Sequence, residues 1–410
     1  MHTNRITTGV TAIAAVILLS SSLWAQSESV LHNFGLTDTD GQDPMASLIF
    51  DASGNLYGTT YAGGSLGSGT VFEMIPNGKG GWTERVLHNF GVGDADGKAP
   101  AAPLVFDAAG NLYGTTVDGG TNSVGAVFEM TPNGKGGWTE FKIHNFGAGE
   151  DGTRPEAGLI FDNAGNLYGT THSGGTQGGG TAFTMTPYGS GGWTEHVIHN
   201  FGIGENDGLN PEGGLVFDSA GNLYGTTVGG GNLGLGTVFE ISPNGSGGWT
   251  EQVLHNFGHG NDGNSPQGYN LIFDKAGNLY GTTNAGGTFD AGTVFEMSPN
   301  GSGGWTETNV HFFGRGFDGV GPTSGLVFDS NGNLYGTTVE GGTNEVGVTF
   351  EMTPNGSGGW LEHVTHNFGV LNDGAYPQAG VILDSAGNAY GTTGAGGVYT
   401  DGVVFEVPAQ

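Results

Sequence analysis

The stretch Gly-Asn-Leu-Tyr-Gly-Thr-Thr at residues 110–116 decides the fold, because seven copies of it are spaced along the chain, the last with Ala in place of Leu. The copies lie 55 or 56 residues apart, and their asparagines are Asn55, Asn111, Asn166, Asn222, Asn278, Asn333 and Asn388. His-Asn-Phe, Val-Phe-Glu and a tryptophan recur with the same period, with variations in single repeats. A constant period of this length indicates a repeat architecture.

Each repeat has the pattern of short β-strands. Apolar residues recur with a period of two inside each run, and turn residues bound the runs. In the repeat at 101–147, the runs predict strands at 103–107, 112–116, 126–131 and 138–146. Seven units of four antiparallel strands predict an all-β fold, a seven-bladed β-propeller. The predicted blades are 44–90, 100–146, 155–201, 211–257, 266–313, 322–368 and, for the last blade, 377–408 plus 27–34.

The two ends of the repeat region indicate that the propeller closes into a ring. Residues 29–34 have the sequence of a fourth strand, and residues 403–406 have that of a third strand. Neither end completes a blade alone, so we expect the N-terminal strand to pair as the outer strand of the last blade, which removes two exposed strand edges. An open stack would instead need polar capping repeats.

The repeat resembles the GloVer repeat of the choice-of-anchor tandem-repeat family. The resemblance rests on Gly-Asn-Leu-Tyr-Gly-Thr-Thr, Gly-Thr-Val-Phe-Glu and His-Asn-Phe-Gly, and it covers residues 27–408. It implies a secreted or surface-exposed bacterial protein, and it implies no particular activity. The C-terminal residues 407–410 have neither the apolar tail nor the basic cluster of an anchor, so we expect a released protein.

Residues 1–25 have the composition of a secretory signal peptide. Arg5 precedes an apolar run at 9–19, and small residues lead to Ala25. The run is too short to span a bilayer comfortably, so we expect cleavage after Ala25, with an uncleaved membrane tether as the alternative. The predicted mature protein, residues 26–410, is then secreted or periplasmic. Because the chain has no cysteine, its fold cannot depend on disulfides.

The overall composition narrows the classes of partner. Glycine and proline, 86 and 15 residues of 410, would suggest disorder if they were not periodic. Nine Lys and Arg against 39 Asp and Glu give a formal net charge of −30. This charge excludes binding to nucleic acid or to an anionic membrane through a basic patch. We expect a monomer that is not inserted in a membrane after signal cleavage.

A histidine beside aromatic residues recurs in every outer strand, as His144 does before Phe146. Such histidines could ligate a metal or transfer protons, or they could hydrogen-bond to a neighbouring strand and lock the blades. We favour the second role, because seven positions on outer strands lie far apart around a ring and cannot converge on one metal ion.

Asp-Gly occurs in every connection between an outer strand and the next inner strand, on the face that also carries the loops between second and third strands. These dipeptides suit tight turns, and they could also form a negative ring that binds Ca²⁺ or a cationic ligand. The candidate rim aspartates are Asp40, Asp96, Asp151, Asp207, Asp262, Asp318 and Asp373. Asp38 with Asp40, and Asp94 with Asp96, are weak candidates for a metal site, since each lacks the third acid and the distal Glu of a calcium loop.

A single binding or catalytic site should lie where the blades differ. On the predicted rim, the differing residues that we take as ligand-binding candidates are Arg154, His172, His259 and Arg315. The two arginines could hold a carboxylate or a sugar acid. They belong to blades 3 and 6, nearly opposite each other, so we do not expect them to share a ligand. Drift in exposed loops is the alternative explanation.

The sequence contains no recognisable catalytic motif. Gly-x-Ser-x-Gly, His-Glu-x-x-His and the P-loop are absent, and no cysteine can act as a nucleophile. We therefore expect a non-catalytic binding or scaffold module for a glycan, a peptide or a cell-surface partner. It should need no cofactor, with Ca²⁺ as a candidate ligand. The alternatives are a secreted polysaccharide hydrolase or lyase with paired carboxylates on the Asp-Gly rim, and a structural role in a matrix.

Overall fold

The computed structural model describes residues 28–93, 95–189, 191–267 and 270–409. The predicted signal peptide at 1–25 and the weak metal candidate Asp94 lie outside the described residues. Seven four-stranded antiparallel sheets form the blades of a closed propeller, which confirms the predicted fold class. Among the described residues, no helix has the length and hydropathy needed to cross a membrane.

Each blade has an inner, a second, a third and an outer strand, hydrogen-bonded in that order. The inner strands are Ile49–Phe50, Val105–Phe106, Ile160–Phe161, Val216–Phe217, Ile272–Phe273, Val327–Phe328 and Ile382–Leu383. The second strands, which hold the repeated heptapeptide, are Leu56–Thr60, Leu112–Thr116, Leu167–Thr171, Leu223–Thr227, Leu279–Thr283, Leu334–Thr338 and Ala389–Thr393.

The third and outer strands form the longest pairs. The third strands are Thr70–Pro76, Ala126–Pro132, Thr181–Tyr188, Thr237–Pro243, Thr293–Pro299, Val348–Pro354 and Val403–Val407. The outer strands of blades 1 to 6 are Trp82–Asn89, Trp138–Asn145, Gly192–Asn200, Trp249–Asn256, Trp305–Phe312 and Trp360–Asn367, and Ser29–Asn33 is that of blade 7.

Short two-residue ladders lie on the face that carries the Asp-Gly turns. Each joins the glycine of an Asp-Gly turn to a residue pair just after the second strand. The ladders are Gly41–Gln42 with Ala62–Gly63, Gly97–Lys98 with Asp118–Gly119, Gly152–Thr153 with Ser173–Gly174, Gly208–Leu209 with Gly229–Gly230, Gly263–Asn264 with Ala285–Gly286, Gly319–Val320 with Glu340–Gly341 and Gly374–Ala375 with Ala395–Gly396.

The inner strands are shorter than the sequence pattern predicted. In blade 2, only Val105–Phe106 pairs with the second strand, rather than the whole of 103–107. Pro103 has no N–H to donate to a ladder. At the other end, Asp107 Oδ1 accepts the backbone N–H of Asn111 at 2.8 Å and turns the chain. The five-residue prediction was wrong because a proline and a side-chain-capped turn end the pairing.

The N-terminal strand closes the ring as predicted. Ser29–Asn33 pairs antiparallel with Val403–Val407, with Ser29 opposite Glu406 and Asn33 opposite Val403. The N–H of Val398 also donates to Asn33 Oδ1 at 2.8 Å. The two ends of the described chain are therefore held within one sheet.

The core lies between blades. Phe90 of blade 1 packs edge-on against Phe128 of blade 2, with ring centroids 5.1 Å apart, and Leu104 and Leu112 complete the cluster. Gly114, the second glycine of the heptapeptide, makes room for this packing, since a Cβ there would lie 2.6 Å from the Phe128 ring. Core packing therefore explains why the motif has a glycine at this position.

Candidate functional site

The Asp-Gly aspartates face the repeated histidines between the blades. The histidine Nε2 lies 2.9–3.3 Å from an aspartate oxygen in five repeats, which are His32 with Asp40, His144 with Asp151, His255 with Asp262, His311 with Asp318 and His366 with Asp373. The distance is 3.9 Å for His88 and Asp96, and 3.5 Å for His199 and Asp207. The seven aspartate side chains are only 3–7% exposed. They therefore do not form an open negative surface.

Each aspartate also builds its own turn. Asp96 Oδ1 accepts the N–H of Gly97 at 2.9 Å, and Oδ2 accepts those of Gly91 and Val92 at 2.9 and 2.7 Å. Backbone donors of this kind stabilise the ionised carboxylate and fix its direction. The Asp-Gly sequence thus holds a buried carboxylate rather than a mobile one.

The candidate calcium-loop residues are divided between surface and interior. Asp38 is exposed. Asp40 is buried, and its oxygens accept hydrogen bonds from His32 and from the backbone of Leu36 and Gly41.

A cavity of about 540 Å³ lies on the axis of the ring, since residues from all seven blades line it. Seven lining residues share one position, the residue after the proline that follows each Asp-Gly turn, and we call them the post-proline ring: Met45, Ala101, Glu156, Glu212, Gln267, Thr323 and Gln378. The ring is apolar in blades 1 and 2 and polar or charged in blades 3 to 7. We call this asymmetric cavity the channel mouth.

The residue before each of these prolines has a left-handed backbone conformation. The φ angle is 50–65° at all seven positions, which are Asp43, Ala99, Arg154, Asn210, Ser265, Gly321 and Tyr376. Side-chain-bearing residues adopt this region only where the surroundings hold them. The Arg154 N–H donates to the Val124 carbonyl at 2.8 Å, and the Arg154 carbonyl accepts the His172 N–H at 2.9 Å. These two hydrogen bonds hold the Arg154 backbone in place and so fix the position from which its side chain extends.

An arginine–glutamate ion pair and a histidine–glutamate contact lie side by side at the channel mouth. Arg154 donates from Nε and Nη2 to Glu156 Oε1, at 3.1 and 2.8 Å. His172 Nε2 lies 3.2 Å from Glu212 Oε1, and its Nδ1 lies 2.9 Å from Ser173 Oγ. One side-chain N or O of Glu156, His172 and Glu212 lies within 4.8 Å of the other two. The four residues therefore form one polar network.

Burial shifts the protonation of this network. Burial raises the pKa of Glu212 to about 7, and the negative charge of Glu156 adds to the increase. Burial also lowers the pKa of His172, an effect that Glu156 opposes and Arg154 reinforces. The network therefore contains a carboxyl group and an imidazole whose uncharged forms are favoured by burial. It can both donate and accept hydrogen bonds and carries little net charge.

Another part of the channel-mouth wall is apolar. Tyr61, Met45, Ala101 and Val117, all from blades 1 and 2, line it. The cavity thus combines an aromatic and aliphatic wall with a hydrogen-bonding wall. Small-molecule sites commonly combine a largely apolar lining with a few convergent polar groups.

The repeat places the chain in a known family. A family model described as the Gloeobacter/Verrucomicrobia repeat matches residues 18–160, 86–270 and 247–410. The chain belongs to the Gloeobacter/Verrucomicrobia repeat family. The match confirms the predicted resemblance to the GloVer repeat. No curated protein has significant sequence similarity to the chain.

Solved structures share the fold of this Gloeobacter/Verrucomicrobia repeat protein at low sequence identity. A protein from Bacteroides uniformis ATCC 8492, provisionally described as a 6-phosphogluconolactonase, has a TM-score of 0.50 and 15% identity, covering 80% of this chain and 88% of its own. A protein of unknown function from Dyadobacter fermentans DSM 18053 has a TM-score of 0.44 and 12% identity, with coverages of 75% and 93%. At 15% identity, the similarity to the Bacteroides uniformis protein shows the fold alone.

Two further candidates lie away from the channel mouth of the Gloeobacter/Verrucomicrobia repeat protein. Arg315 lies in a separate groove of about 510 Å³ between blades 5 and 6, beside Phe289 and Phe317. His259 is exposed on the rim. The structure thus brings Arg154 and His172 together at the channel mouth and leaves Arg315 and His259 elsewhere.

Sequence reasoning missed the acidic half of the network in this Gloeobacter/Verrucomicrobia repeat. Glu156 and Glu212 immediately follow prolines and were not among the candidates, and neither was Gln267. The signal that could have found them is the post-proline position read across the seven repeats, where apolar residues change to Glu and Gln. Only closure of the ring shows that this position faces one cavity.

Proposed function

We propose that the channel mouth binds the end of a neutral glycan, which makes the protein a non-catalytic recognition module. The observation that supports this most is the asymmetry of the post-proline ring. Seven equivalent positions would bind nothing selectively, yet polar side chains from blades 3 to 7 meet at one cavity with an apolar wall. That combination suits a sugar ring, which presents hydroxyl groups at its edge and C–H groups on its faces.

The charges of the site favour a ligand without net charge. Arg154 is already paired with Glu156, and His172 lies against Glu212. A formal net charge of −30 over the whole chain disfavours the approach of anionic ligands. A guanidinium–carboxylate pair such as Arg154 with Glu156 forms strong hydrogen bonds to hydroxyl groups while remaining neutral as a set. A cavity of about 540 Å³ is large enough for one or two sugar residues.

A binding screen with matched variants tests this proposal. The purified protein would be titrated calorimetrically with a panel of neutral and acidic oligosaccharides. We expect saturable binding of a neutral member, weakened about tenfold or more by Arg154→Ala, because one lost charge-assisted pair contributes at least about 1.4 kcal/mol. Arg315→Ala, in the separate groove, should bind as the wild type does. Binding of no glycan, or equal effects of the two arginine variants, would contradict the proposal.

One observation favours a second candidate function, a glycan hydrolase. Glu212 has a pKa raised to about 7, whereas Glu156 is hydrogen-bonded to a guanidinium. Two carboxyl groups with such different surroundings can act as a general acid and a nucleophile or base. Incubation with the bound glycan decides between the two functions. Release of reducing ends that Glu212→Gln abolishes would establish hydrolysis, and binding without product would leave recognition as the function.

A further inference from the structure

A glutamate from the next blade completes each His–Asp pair. Every outer strand carries a glutamate four residues before its histidine, as Glu84 precedes His88. The Glu84 carboxylate lies beside His32 and Asp40 of the preceding connection, with one N or O atom of each residue within 4.8 Å of the others. The same geometry joins Glu140 to His88 and Asp96. We call these sets the interblade clusters.

The seven interblade clusters form a ring around the propeller. Glu195 lies with His144 and Asp151, and Glu28 lies with His366 and Asp373. The charges of the remaining glutamates act on the pairs beside them, which are His199 and Asp207 for Glu251, His255 and Asp262 for Glu307, and His311 and Asp318 for Glu362. Each cluster therefore bridges two neighbouring blades.

One oxygen of every cluster glutamate is buried and makes no hydrogen bond within the described part of the chain. These atoms are Oε1 of Glu28, Glu84, Glu140, Glu195, Glu251, Glu307 and Glu362. The Glu28 side chain is only 3% exposed. Buried polar atoms without partners are uncommon in folded proteins, since each costs about 1–3 kcal/mol. The same atom lacks a partner at seven equivalent positions. This repetition indicates that the clusters are built to hold the same kind of ligand, rather than that seven unrelated packing faults occur.

The cluster of His199 shows the pattern most fully. His199 Nε2, Asp207 Oδ1 and Glu251 Oε1 are all buried without a hydrogen bond among the described residues. The Asp207 side chain is 5% exposed, and its Oδ1 lies 3.5 Å from His199 Nε2. An imidazole nitrogen and two carboxylate oxygens thus face one another, the donor set of a divalent transition metal.

One cluster contains a cation of its own. Lys142 Nζ lies 3.9 Å from Asp96 Oδ1, and in this cluster the His88–Asp96 distance is also 3.9 Å. The equivalent residue of each outer strand, opposite the third-strand phenylalanine, is uncharged in the other clusters: Val30, Val86, Val197, Val253, Asn309 and Val364. The chain itself therefore places a positive charge between these carboxylates in one repeat of seven.

In the six clusters that have no lysine, burying two neighbouring carboxylates without a cation lowers the stability of the fold. In the cluster of His199, for example, Asp207 Oδ1 and Glu251 Oε1 are both buried without a hydrogen bond among the described residues. Two buried carboxylates that lie close together repel each other. A bound cation would remove this cost. Two clusters open into grooves of about 510 and 630 Å³, which give an ion a route from solvent.

We propose that the interblade clusters bind divalent metal ions of the Zn²⁺ and Mn²⁺ class, up to six per chain, and that Lys142 replaces the ion in the seventh. The mixed N and O donor set favours these metals over Ca²⁺, which prefers oxygen ligands alone. In the cluster of His255, Asn309 Oδ1 is a fourth buried atom without a partner. Each ion would fasten one blade to the next.

The ions would also fasten the ring closure. Glu28, directly before the N-terminal strand, belongs to the cluster of His366, and His32 of that strand belongs to the cluster of Glu84. Metal binding at these two clusters would tie the closing strand to blade 6 on one side and to blade 1 on the other. A protein without disulfides would gain stability by this route, because a ligand that binds only the folded state stabilises it.

The test removes the lysine from its cluster in one variant and adds a lysine to another cluster in a second variant. Protein stripped with EDTA would be titrated calorimetrically with Zn²⁺, Mn²⁺ and Ca²⁺, with metal content measured by mass spectrometry and unfolding by calorimetry. We expect about six equivalents of Zn²⁺ or Mn²⁺ and a rise in unfolding temperature of about 5 °C or more. Lys142→Val should add one equivalent, and Val86→Lys should remove one while preserving the fold. The exposed Glu345→Gln should change nothing.

Three results would overturn the proposal. The first is the absence of saturable binding. The second is a stoichiometry that neither Lys142→Val nor Val86→Lys alters. The third is an unfolding temperature that depends on pH but not on metal, which would show that a shared proton rather than an ion occupies the clusters. Because glycan binding at the channel mouth is measured separately, this proposal and the proposed function can fail independently.

Discussion

Glu212 is three-quarters buried beside a second carboxylate, and its equivalents in blades 5 and 7 are Gln267 and Gln378. The backbone of the post-proline ring therefore accommodates either side chain. Burial raises the pKa of Glu212 to about 7. Replacing Glu212 with Gln therefore changes proton binding and leaves the shape of the side chain nearly the same. The substitution isolates the effect of the proton.

Replacing Glu212 with Gln should reduce the pH dependence of stability between pH 5 and 8. The folded-state pKa of Glu212 lies above the ordinary value of 4.5, so folding binds its proton more tightly. Its favourable contribution is present below about pH 4.5 and is lost as the pH rises towards 7. By calorimetry we expect similar unfolding temperatures at pH 5, and at pH 8 a variant that unfolds about one or two degrees above the wild type.

The control for this measurement is Glu345→Gln, since Glu345 is an exposed rim carboxylate. It should follow the wild-type profile throughout. A difference between Glu212→Gln and the wild type that is constant with pH would show that Glu212 acts through packing rather than through proton binding.

Within the second strand of each blade, packing against the third-strand aromatic ring requires a glycine at the position of Gly114. We expect Gly114→Ala to lower the free energy of unfolding by about 1–3 kcal/mol, because the added Cβ would lie 2.6 Å from the Phe128 ring. Gly158→Ala is the matched control, since the nearest atom to its Cβ would be 3.4 Å away, and a change within about 0.5 kcal/mol is expected. Equal effects in urea denaturation would argue against this role of Gly114.

The strands were predictable from sequence to the extent that side-chain alternation determines them. The second strand of blade 2 was predicted at its observed limits, 112–116. The inner strand was predicted too long, because the missing N–H of Pro103 and the turn capped by Asp107 end its pairing, and side-chain polarity shows neither. Where the third strand pairs with the outer strand, Val127 lies opposite His144 and Phe128 opposite Lys142, so Ile143 forms a β-bulge that alternation does not reveal. Hydrophobic periodicity shows which side chains are buried, but it does not show where a β-bulge interrupts the strand pairing.

The candidate site was predictable only in part, for a reason that belongs to the whole molecule. Arg154 and His172 were recognisable because they interrupt otherwise uniform loops. Glu156 and Glu212 follow prolines in turns and resemble ordinary solvent-exposed acids, and they are 56 residues apart in the chain. Their proximity depends on ring closure and on the inward direction of every post-proline residue, which no single repeat shows.

Removal of the closing strand tests the ring as a whole. Deleting residues 26–34 would leave the edge of Val403–Val407 unpaired, and unpaired edges recruit other strands. We expect a lower unfolding temperature and concentration-dependent dimers in light scattering. A peptide of residues 26–36 added in trans should restore the monomer by strand addition. A deletion variant that stays monomeric and equally stable would contradict the closure account.

The central claim is that one asymmetric cavity, set by the post-proline ring, is where this symmetric propeller binds its ligand. A crystal structure of the protein soaked with the glycan that binds most tightly in the calorimetric panel tests it most directly. We expect sugar density between Arg154 and Glu212, with a ring face against Tyr61. Density confined to another surface, such as the groove of Arg315, would contradict it.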